Sequence, residues 1–591
     1  MNRLMRVLVL LSVAALVLAG CAAPAAPATS APTQAPASAA TEAPKATQAP
    51  KATQAPTAAP KPKAITIQAG GGDPRSIDPQ KAIDTREWYL LEQLFPPLLV
   101  LNTETHASEP GVAQSYEVSP DGKVYTFHLT PKVPWVRYNP TTKAVEQVTD
   151  DKGQVRYLKA QDFVYGFLRA LDPKTGSPAA YMLAPYIAGA EDFNAGKGPA
   201  DKVAIKALDD NTLQITAPEK VGFALQIFGI INARAVPSWD VEQNGDAWTD
   251  PKNINSYGPF AMKDWTHEAS MTYVKNPFWP GTKGIQKPAL DEITFRFIDE
   301  TVGLREFEAG TIDMTIVPGT EVLRVQADPK LGPQLKIVPG TCTNYYSFNV
   351  TQPPFNNVHI RRAFTYAVDR DTLTKEVLAG GEIPAPFLTP PSINMAPSAT
   401  DAAKEGIKYN PAKAKEELAL GLKELGLTSV DQLPQITVWL NNQPTSARTA
   451  QALQSMWQKE LGIKVELLQI DSKVYWAKLE KESGQINMAG WCPDYNDANN
   501  YLRDIFRSDS IYNYGKYSNP KFDSLVDQAR VESDPAKRLA LYTEAEKLLC
   551  VEDAGIIMLN YASRAQVTNP RVKRTYSLTA IEHYWDWDVT N

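Results

Sequence analysis

A sharp change in composition at residue 64 limits where this chain of 591 residues can build a hydrophobic core. Of the 42 residues from 22 to 63, 17 are Ala, 9 are Pro and 6 are Thr, and none is aromatic or branched aliphatic. A segment of this kind cannot bury enough apolar surface to offset the entropy that it would lose on ordering. We therefore predict that residues 21–63 form a disordered spacer and that the folded region runs from Ala64 to Asn591.

The first 20 residues are typical of an export signal. A basic start is followed by 12 apolar or small residues from Val7 to Leu18, fewer than the roughly 20 that a membrane-spanning helix needs. The run ends in Leu18-Ala19-Gly20-Cys21, which resembles the bacterial lipoprotein signal. The resemblance implies that residues 1–20 are removed and that an acylated Cys21 anchors the protein to a membrane, outside the cytoplasm. An ordinary signal peptide followed by an incidental Cys is the alternative.

Charge and composition argue against several classes of protein. The formal net charge is −6, from 60 Lys and Arg against 66 Asp and Glu, without the basic surplus of a nucleic-acid-binding protein. Five His and four Cys, with no C-x-x-C and no H-x-x-x-H, provide no ordinary metal or haem site, so we predict no metal and no cofactor. The sequence also lacks G-x-S-x-G, G-x-x-x-x-G-K-[ST], G-x-G-x-x-G and H-E-x-x-H. We predict a protein that is not an enzyme. An anchored enzyme is the residual alternative, because 66 acidic residues contain candidate carboxylate pairs.

Short β-rich runs alternate with amphipathic helical patterns through the folded region, which predicts the α/β class. The predicted strands are Ala64–Gln68, Val124–Leu129, Thr212–Ala217, Glu292–Ile298, Gln435–Leu440 and Lys464–Gln469. The predicted helices are Ala160–Leu171, Ile360–Val368, Asn410–Leu425, Ala447–Leu461, Phe522–Val531 and Pro535–Leu549. Asn410 and Asp534 each precede a Pro, as capping residues do. The last helix has one face that is apolar apart from one acid, formed by Leu539, Tyr542, Ala545, Glu546 and Leu549.

A series of short motifs follows along the folded region. They are Ser76–Pro79, Pro110–Ser115, Tyr125–Leu129, Asp162–Tyr165, Asp172–Thr175, Tyr257–Phe260, Asn276–Trp279, Gly310–Met314, Tyr345–Asn349, Pro354–Asn356, Ile360–Phe364, Val368–Arg370 and Gly490–Tyr495. In this order they resemble the extracytoplasmic solute-binding proteins of peptide importers. Within solute-binding protein family 5, whose members deliver ligands to ABC transporters, the chain is similar to the oligopeptide-binding branch.

The resemblance implies a fold like that of type II periplasmic binding proteins, in which two lobes close about a hinge over the ligand. An additional domain is inserted in the first lobe. The expected first lobe comprises residues 64–105, 229–341 and 562–591. The inserted domain is expected at 106–228 and the second lobe at 342–561.

The most specific motif is Gly490-Trp491-Cys492-Pro493-Asp494-Tyr495. In the matching family motif the aspartate, here Asp494, takes the α-ammonium group of the ligand, with Gly490, Trp491 and Cys492 beside it. An α-amino group has a pKa near 7.7–8.0 and is mostly cationic at neutral pH. A desolvated carboxylate pairs with it through charge-assisted hydrogen bonds. A surface turn capped by an exposed acid is the alternative.

The resemblance assigns further residues to the site. It places Asp73 and Tyr345 at the floor of the ligand site. Tyr165 lies off the core stripe of its predicted helix, so a ligand-facing or lobe-facing role is expected, with an exposed Tyr as the alternative.

The cysteines of the folded region also receive roles from the resemblance. Cys342 and Cys492 occupy the two positions that form a disulfide in close family members, and Cys550 is then expected as a buried thiol.

Departures from the family pattern leave the identity of the ligand undetermined. Met488 stands where peptide binders that grip a free C-terminus can carry Arg. Trp135–Lys159 is longer than the usual tight turn, and Asp150–Gly153 suggests a hairpin there. We expect a monomer that captures oligopeptides and delivers them to the permease subunits of an ABC transporter. The alternative is the same fold binding an oligosaccharide, a metal chelate or an opine.

Overall fold

The computed structural model of the protein describes residues 61–102, 107–579 and 581–590. The expected export signal, Cys21 and the spacer up to residue 60 lie outside these residues and remain predictions. No helix in the described ranges is long and apolar enough to cross a bilayer. From Lys61 onward the chain forms one compact unit.

The strands of the described residues are β1 (Ala64–Gln68), β2 (Leu99–Leu101), β3 (Ser108–Pro110), β4 (Ala113–Val118), β5 (Val124–Leu129), β6 (Val136–Asn139), β7 (Ala144–Gln147), β8 (Ile205–Asp209), β9 (Thr212–Thr216), β10 (Phe260–Thr266), β11 (Ser270–Lys275), β12 (Glu292–Arg296), β13 (Met314–Ile316), β14 (Leu335–Phe348), β15 (Ile383–Pro384), β16 (Ile436–Asn441), β17 (Val465–Ile470), β18 (Ile486–Trp491), β19 (Ile556–Thr568), β20 (Val572–Lys573) and β21 (Asp588–Val589).

The α-helices of the same residues are α1 (Thr85–Glu92), α2 (Ala160–Leu171), α3 (Ala180–Leu183), α4 (Ala190–Asn194), α5 (Ala224–Ile227), α6 (Ser238–Asn244), α7 (Glu300–Glu308), α8 (Val322–Ala327), α9 (Val358–Tyr366), α10 (Arg370–Thr372), α11 (Ala399–Glu405), α12 (Pro411–Glu424), α13 (Pro444–Leu461), α14 (Ser472–Lys481), α15 (Asn499–Phe506), α16 (Pro520–Val531) and α17 (Pro535–Lys547).

The largest sheet of the described chain has the order β10-β11-β12-β1-β13-β19-β14-β18-β16-β17, and β15 pairs with β19. β1 is parallel to its neighbours β12 and β13, and β16 is parallel to its neighbours β17 and β18. Between these two parallel groups, β14 and β19 pair antiparallel over most of their length. The sheet is therefore mixed, with helices between most of its strands, and the predicted α/β class is confirmed.

A bulge interrupts the pairing of β14 with β19. Pro339 lies opposite Ser563 and Thr343 lies opposite Tyr561, so three residues of β14 face Ala562 alone. Such an insertion bends the strand and increases its twist. The expected boundaries between the two lobes, 341/342 and 561/562, fall in this bulge, although the domain boundaries themselves remain predictions.

A disulfide links the bulge to the end of β18. Cys342 is bonded to Cys492, 150 positions further along the chain. The predicted disulfide is thus present in the structure. Cys550 is a buried free thiol, as expected, and its Sγ lies 3.4 Å from Glu546 Oε2.

A separate antiparallel sheet, β4-β5-β9-β8, lies within the expected inserted domain. Successive side chains of β5 alternate between buried and half-buried positions, as its period-two pattern predicts. α2 packs against β8 and β9, and its Phe163 and Phe167 are fully buried. This core supports the loops that carry α3 and α5 toward the site described below.

The long segment from Trp135 to Lys159 forms β6 and β7 and then a tight turn. At this turn the Asp150 N–H donates to Gln154 O at 2.8 Å. Gly153 adopts a φ of 76°, a left-handed conformation that glycine reaches without steric cost. The hairpin predicted at Asp150–Gly153 is confirmed.

Local sequence signals place several helix starts correctly. Asn410 caps α12 by accepting the Lys413 N–H at 3.0 Å, and Asp534 caps α17 by accepting the Ala536 N–H at 2.9 Å. Both α12 and α17 begin at the Pro that follows the cap, as predicted.

One prediction for α17 is wrong. Leu539, expected on the apolar face, is 37% exposed, whereas Arg538 is only 4% exposed. Arg538 occupies the interior because its two terminal nitrogens donate to the two carboxylate oxygens of Asp497, at 2.8 and 2.6 Å. A bidentate pair of this kind satisfies a buried guanidinium, which hydrophobic periodicity does not reveal.

We predict that Asp497→Ala strongly destabilises the ligand-free protein, because it leaves the buried Arg538 guanidinium without its counter-charge. The expected loss is about 3–5 kcal/mol in the free energy of unfolding, measured by urea denaturation. The exposed pair Lys521–Glu544, at 2.8 Å, provides the control, since Lys521→Ala should change the free energy of unfolding very little. Equal effects of the two substitutions would contradict the prediction.

We also predict that removing the disulfide lowers stability, because it closes a loop of 150 positions. The double variant Cys342→Ser and Cys492→Ser should lose up to ~5 kcal/mol in the chain-entropy description. Thermal unfolding with and without reductant provides the measurement. Reductant should destabilise the unmodified protein and leave the double variant unchanged, whereas a protein that is insensitive to reductant would show that the bond contributes nothing.

Candidate functional site

β18 positions the segment from Gly490 to Tyr495. It pairs antiparallel with β14, with Gly490 opposite Asn344 and Trp491 opposite Thr343. A Cβ atom on Gly490 would lie 3.1 Å from Asn344 Oδ1 and 3.2 Å from Thr343 O, so the close approach of the two strands favours glycine here. The strand ends at Trp491, and the disulfide formed by the next residue ties the following turn to β14.

Asp494 is held by two hydrogen-bond donors. Tyr181 OH donates to Oδ2 at 2.8 Å, and Asn500 Nδ2 donates to the same oxygen at 3.1 Å. Asn500 is itself fixed, because its Oδ1 accepts both the Asp494 N–H and the Trp491 indole N–H, each at 2.9 Å. The carboxylate therefore has a defined orientation, and Trp491 contributes to it through Asn500.

Asp494 has no ion-pair partner among the Lys, Arg and His side chains of the described residues. Burial raises its pKa from the usual 3.8 to about 6; hydrogen bonds from Tyr181 and Asn500 lower this pKa, and the neighbouring Asp504 carboxylate raises it. Within the described ranges, no three His, Cys, Asp or Glu side chains are grouped so as to hold a metal ion. A carboxylate that is desolvated, oriented and unpaired is suited to receive an organic cation.

Two adjoining cavities meet at Asp494. The main cavity spans about 820 Å³ and the second, the disulfide cavity, about 650 Å³, both including solvent-filled space at their openings. The residues that line both are Trp88, Leu101, Asp494, Tyr495, Asn496, Thr579 and Ile581. The disulfide cavity is also lined by Cys342, Cys492 and the bulge residues Gly340 and Thr341.

The walls of the main cavity come from distant parts of the chain. Its apolar side chains include Leu99, Met182, Leu225 and Ile230. Wall residues within 88–101, 229–234 and 577–583 belong to the expected first lobe, and those at 494–496 belong to the expected second lobe. The site thus lies where the predicted two-lobe architecture would place a ligand.

Aromatic side chains cover Asp494 from the expected inserted domain. The Tyr181 and Tyr512 rings lie 5.6 Å apart, centroid to centroid. Phe223 stacks on Tyr495 at 5.1 Å, with an angle of 15° between the ring planes. These contacts join residues 181–223 to residues 495–512 and reduce the access of water to the carboxylate.

Five residues that the resemblance or the helix pattern assigned to the site line neither cavity: Gly490 and Trp491 on β18, and Tyr345, Tyr165 and Asp73. Tyr345 is buried, with its ring 5.7 Å from that of Phe506. Tyr165, on α2, is half-buried against the core. The Asp73 carboxylate accepts the Trp265 indole N–H at 3.1 Å and thereby anchors the hairpin of β10 and β11. The structure brings Gly490, Trp491, Cys492 and Asp494 together in one segment and places Tyr345 opposite Ala489, next to Gly490. Tyr165 and Asp73 lie away from both cavities.

Sequence reasoning missed other residues of the site. Tyr181 lies 313 positions from Asp494, and no local pattern could have joined them. Asn500 was within reach, because it follows the Asp494 motif by only six positions at the start of α15. Trp88 lines both cavities, and its buried indole N–H has no hydrogen-bond partner among the described residues.

Comparison with known sequences identifies the family. The family model described as "Bacterial extracellular solute-binding proteins, family 5 Middle" matches residues 107–513. The periplasmic oligopeptide-binding protein OppA of Escherichia coli (strain K12) is 31% identical over 513 residues, which cover 86% of this chain and 88% of that protein. The "Probable deoxycholate-binding periplasmic protein YgiS" of the same organism is 31% identical over 503 residues, with coverage of 85% and 88%.

A solved structure agrees with this result. The crystal structure of Haemophilus influenzae OppA in complex with RPPGFSPFR has a TM-score of 0.72 and 26% sequence identity, and it covers 90% of this chain and 99% of that chain. The expected fold, like that of type II periplasmic binding proteins, is confirmed. The chain belongs to the bacterial extracellular solute-binding proteins of family 5.

Proposed function

We propose that the protein binds oligopeptides outside the cytoplasm and holds the free N-terminal ammonium group of each at Asp494. The observation that carries the proposal is a half-buried carboxylate, unpaired within the described residues, at the junction of two cavities. The relative from E. coli named as oligopeptide-binding and the structural neighbour in complex with a nonapeptide support a peptide as the ligand.

The chemistry of the site suits an ammonium group. The hydrogen bonds from Tyr181 and Asn500 engage Oδ2 and leave Oδ1 to accept a hydrogen bond from the ligand. Hydrogen bonds between charged groups contribute more than neutral ones, and they gain strength where water is excluded. The site therefore fixes the start of a peptide without reading its first side chain.

The surrounding walls suit side chains of varied type. The main cavity has mostly apolar walls and an open mouth, as sites for ligands of varied shape often do. The bulge of β14 at Gly340 and Thr341 lies beside Asp494 in the disulfide cavity. A peptide backbone that leaves Asp494 passes next to this irregular strand and can form hydrogen bonds with it.

The bulge is also our candidate for the hinge. β14 and β19 connect the two parallel groups of the large sheet, and an interrupted ladder bends more easily than a regular one. We infer that closure of the lobes about this point encloses the peptide and that opening releases it to the permease subunits of an ABC transporter. No chemical conversion of the ligand is required.

The N-terminal segment supports attachment to a membrane. We infer that Cys21 is acylated and that the spacer of 42 residues tethers the monomeric binding unit. A flexible chain of that length spans about 36 Å on average. Metabolic labelling with a fatty-acid analogue, with Cys21→Ser as the control, tests this inference.

A second candidate ligand is a steroid acid. It is suggested by the relative whose name refers to deoxycholate, at the same 31% identity, and by the apolar walls of the main cavity. Such a ligand carries a carboxylate and no ammonium group, so Asp494 would receive no partner from it. The proposal for peptides explains Asp494, and the steroid alternative does not.

We predict that Asp494→Asn weakens binding of a peptide with a free amino group by about 10- to 100-fold, because the charge-assisted hydrogen bonds are lost. Isothermal titration calorimetry with tetra-alanine measures the effect. N-acetylation of tetra-alanine should weaken binding to the unmodified protein by a similar factor and should add little in the variant. The exposed acid Asp509, paired with Arg507, gives the control Asp509→Asn. Unchanged affinity in Asp494→Asn would contradict the role of Asp494.

We predict that the affinity for the same peptide falls as the pH drops below 6. The pKa of Asp494 in the ligand-free protein is raised to about 6 by burial, while the ligand amine stays protonated throughout this range. Protonation of Asp494 therefore removes the attraction, and Kd should rise by up to about tenfold per pH unit.

Titration at pH 5, 6 and 7 tests this pH dependence, and Asp494→Asn should flatten it. The unfolding free energy should move in the opposite direction. Because the folded-state pKa is raised, ionised Asp494 opposes folding above pH 6, and this penalty disappears as the pH falls toward 4. Affinity that is independent of pH between 5 and 7 would contradict the assignment.

A further inference from the structure

The disulfide cavity carries a second charged side chain besides Asp494. Among the described residues that line it, Asp494 and Arg564 are the charged ones. Arg564 lies on β19, one position beyond Ser563, which pairs with Pro339 beside the bulge. Its guanidinium forms no ion pair with Asp494 in the described structure, so the two charges stand apart on the cavity wall.

Arg564 belongs to a buried cluster with an excess of positive charge. The cluster contains Arg564, Arg574 and Glu582. Arg574 Nη2 donates to Glu582 Oε1 at 2.7 Å, whereas Arg564 Nη1 lies 3.8 Å from the same oxygen, too far for a hydrogen bond. One carboxylate thus faces two guanidinium groups, and its close partner is Arg574.

Arg574 is already accounted for by its surroundings. Its side chain is 2% exposed. The guanidinium lies 4.4 Å from the centre of the Tyr576 ring and 4.2 Å from that of Trp587, so it is held by cation–π contacts. Its Nη1 is buried without a hydrogen-bond partner among the described residues, but Arg574 lines neither cavity and so does not face a ligand there.

Arg564 is the half-buried member of the cluster, whereas Arg574 is almost fully buried. The Arg564 side chain is 19% exposed, and it lines the disulfide cavity. Nη2 donates to Ser577 O, while Nε and Nη1 donate to no acceptor among the described residues. A guanidinium has five donors in a planar fork that matches a carboxylate, and Arg564 keeps part of that fork for the cavity.

The other charges at the site cancel. Arg234 and Glu92, which line the main cavity, form a close pair with Nη2 and Oε2 2.6 Å apart. This leaves Asp494 as the unpaired negative group and Arg564 as the incompletely paired positive group of the described walls. A ligand that carries both a cation and an anion would neutralise both.

We propose that Arg564 forms a subsite for a carboxylate of the ligand, so that the preferred ligands are short zwitterionic peptides with an ammonium group at Asp494 and a carboxylate at Arg564. The proposal rests on the proposed peptide-binding function and adds the class of peptide to it. Opposite charges at two points of one cavity also fix the direction in which the peptide lies. The carboxylate comes from the C-terminus of the peptide or from an Asp or Glu side chain, and the experiment separates these sources.

Calorimetry with alanine peptides of two to five residues tests the subsite, each peptide being used as the free acid and as the C-terminal amide. At the length that spans both groups, amidation should weaken binding to the unmodified protein at least 10-fold. In Arg564→Gln the ratio of acid to amide affinity should fall below threefold, and Arg564→Lys should keep an intermediate ratio. The exposed Arg324, paired with Glu308 and Glu321, supplies the control Arg324→Gln, which should keep the full ratio.

A further set of amidated peptides, each with one Glu, identifies the source of the carboxylate. Recovery of affinity in this set, lost again in Arg564→Gln, supports the subsite and assigns it to a side chain. Loss on amidation without such recovery supports it and assigns it to the C-terminus. If Arg564→Gln fails to fold, the reduced ratio expected for Arg564→Lys tests the assignment to Arg564, and an unchanged ratio in that variant contradicts it.

Two results would overturn the proposal, and they differ in what else they affect. In the first, peptides with a free amino group bind and N-acetylation weakens their binding, but neither a C-terminal carboxylate nor a Glu side chain changes the affinity. The subsite is then wrong and the peptide-binding function stands. If no peptide of any length binds, the proposed function fails and the subsite fails with it.

Discussion

The antiparallel pairing of β14 with β19 is the interaction on which the rest of the structure depends. On one side β19 continues to β13 and the parallel strands around β1, and on the other side β14 continues to β18 and the parallel strands around β16. Without this pair the described sheet would separate into two. The bulge that interrupts the pair also supplies Gly340 and Thr341 to the wall of the disulfide cavity. The connection between the two halves and the ligand site are thus the same piece of the chain.

Asp494 shows how the fold keeps a charge available. Buried carboxylates are usually paired with a cation, because an isolated charge is costly away from water. In this protein the nearby donors are neutral, a phenol and an amide, and they orient the group without cancelling its charge. A few residues away, Asp497 has the opposite arrangement, a bidentate pair with Arg538. One acid of this short segment stabilises the fold and the other remains open to a ligand.

How well the sequence predicts a structural feature depends on how far apart in the chain the interacting residues lie. The bounds of α2 and the start of α17 depend on nearby residues, and local patterns locate them. The disulfide and the role of Asp494 involve residues that are distant in the chain. They were expected from the family resemblance and not from local patterns. Leu539 was misplaced because hydrophobic periodicity ignores the ion pair that draws Arg538 inward. Tyr181 and Arg564 reach the site from other elements, and only the tertiary fold shows them there.

Trp88 gives the site a property that has practical value. Its indole lies in the walls of both cavities, and its N–H is buried without a hydrogen-bond partner among the described residues. Six other tryptophans, Trp135, Trp248, Trp279, Trp457, Trp585 and Trp587, are fully buried and line neither cavity. A ligand that enters either cavity changes the polarity around Trp88 directly, because Trp88 lines both cavities. The emission spectrum of the unlabelled protein therefore contains an optical signal of occupancy, which a single replacement of Trp88 by Phe would isolate.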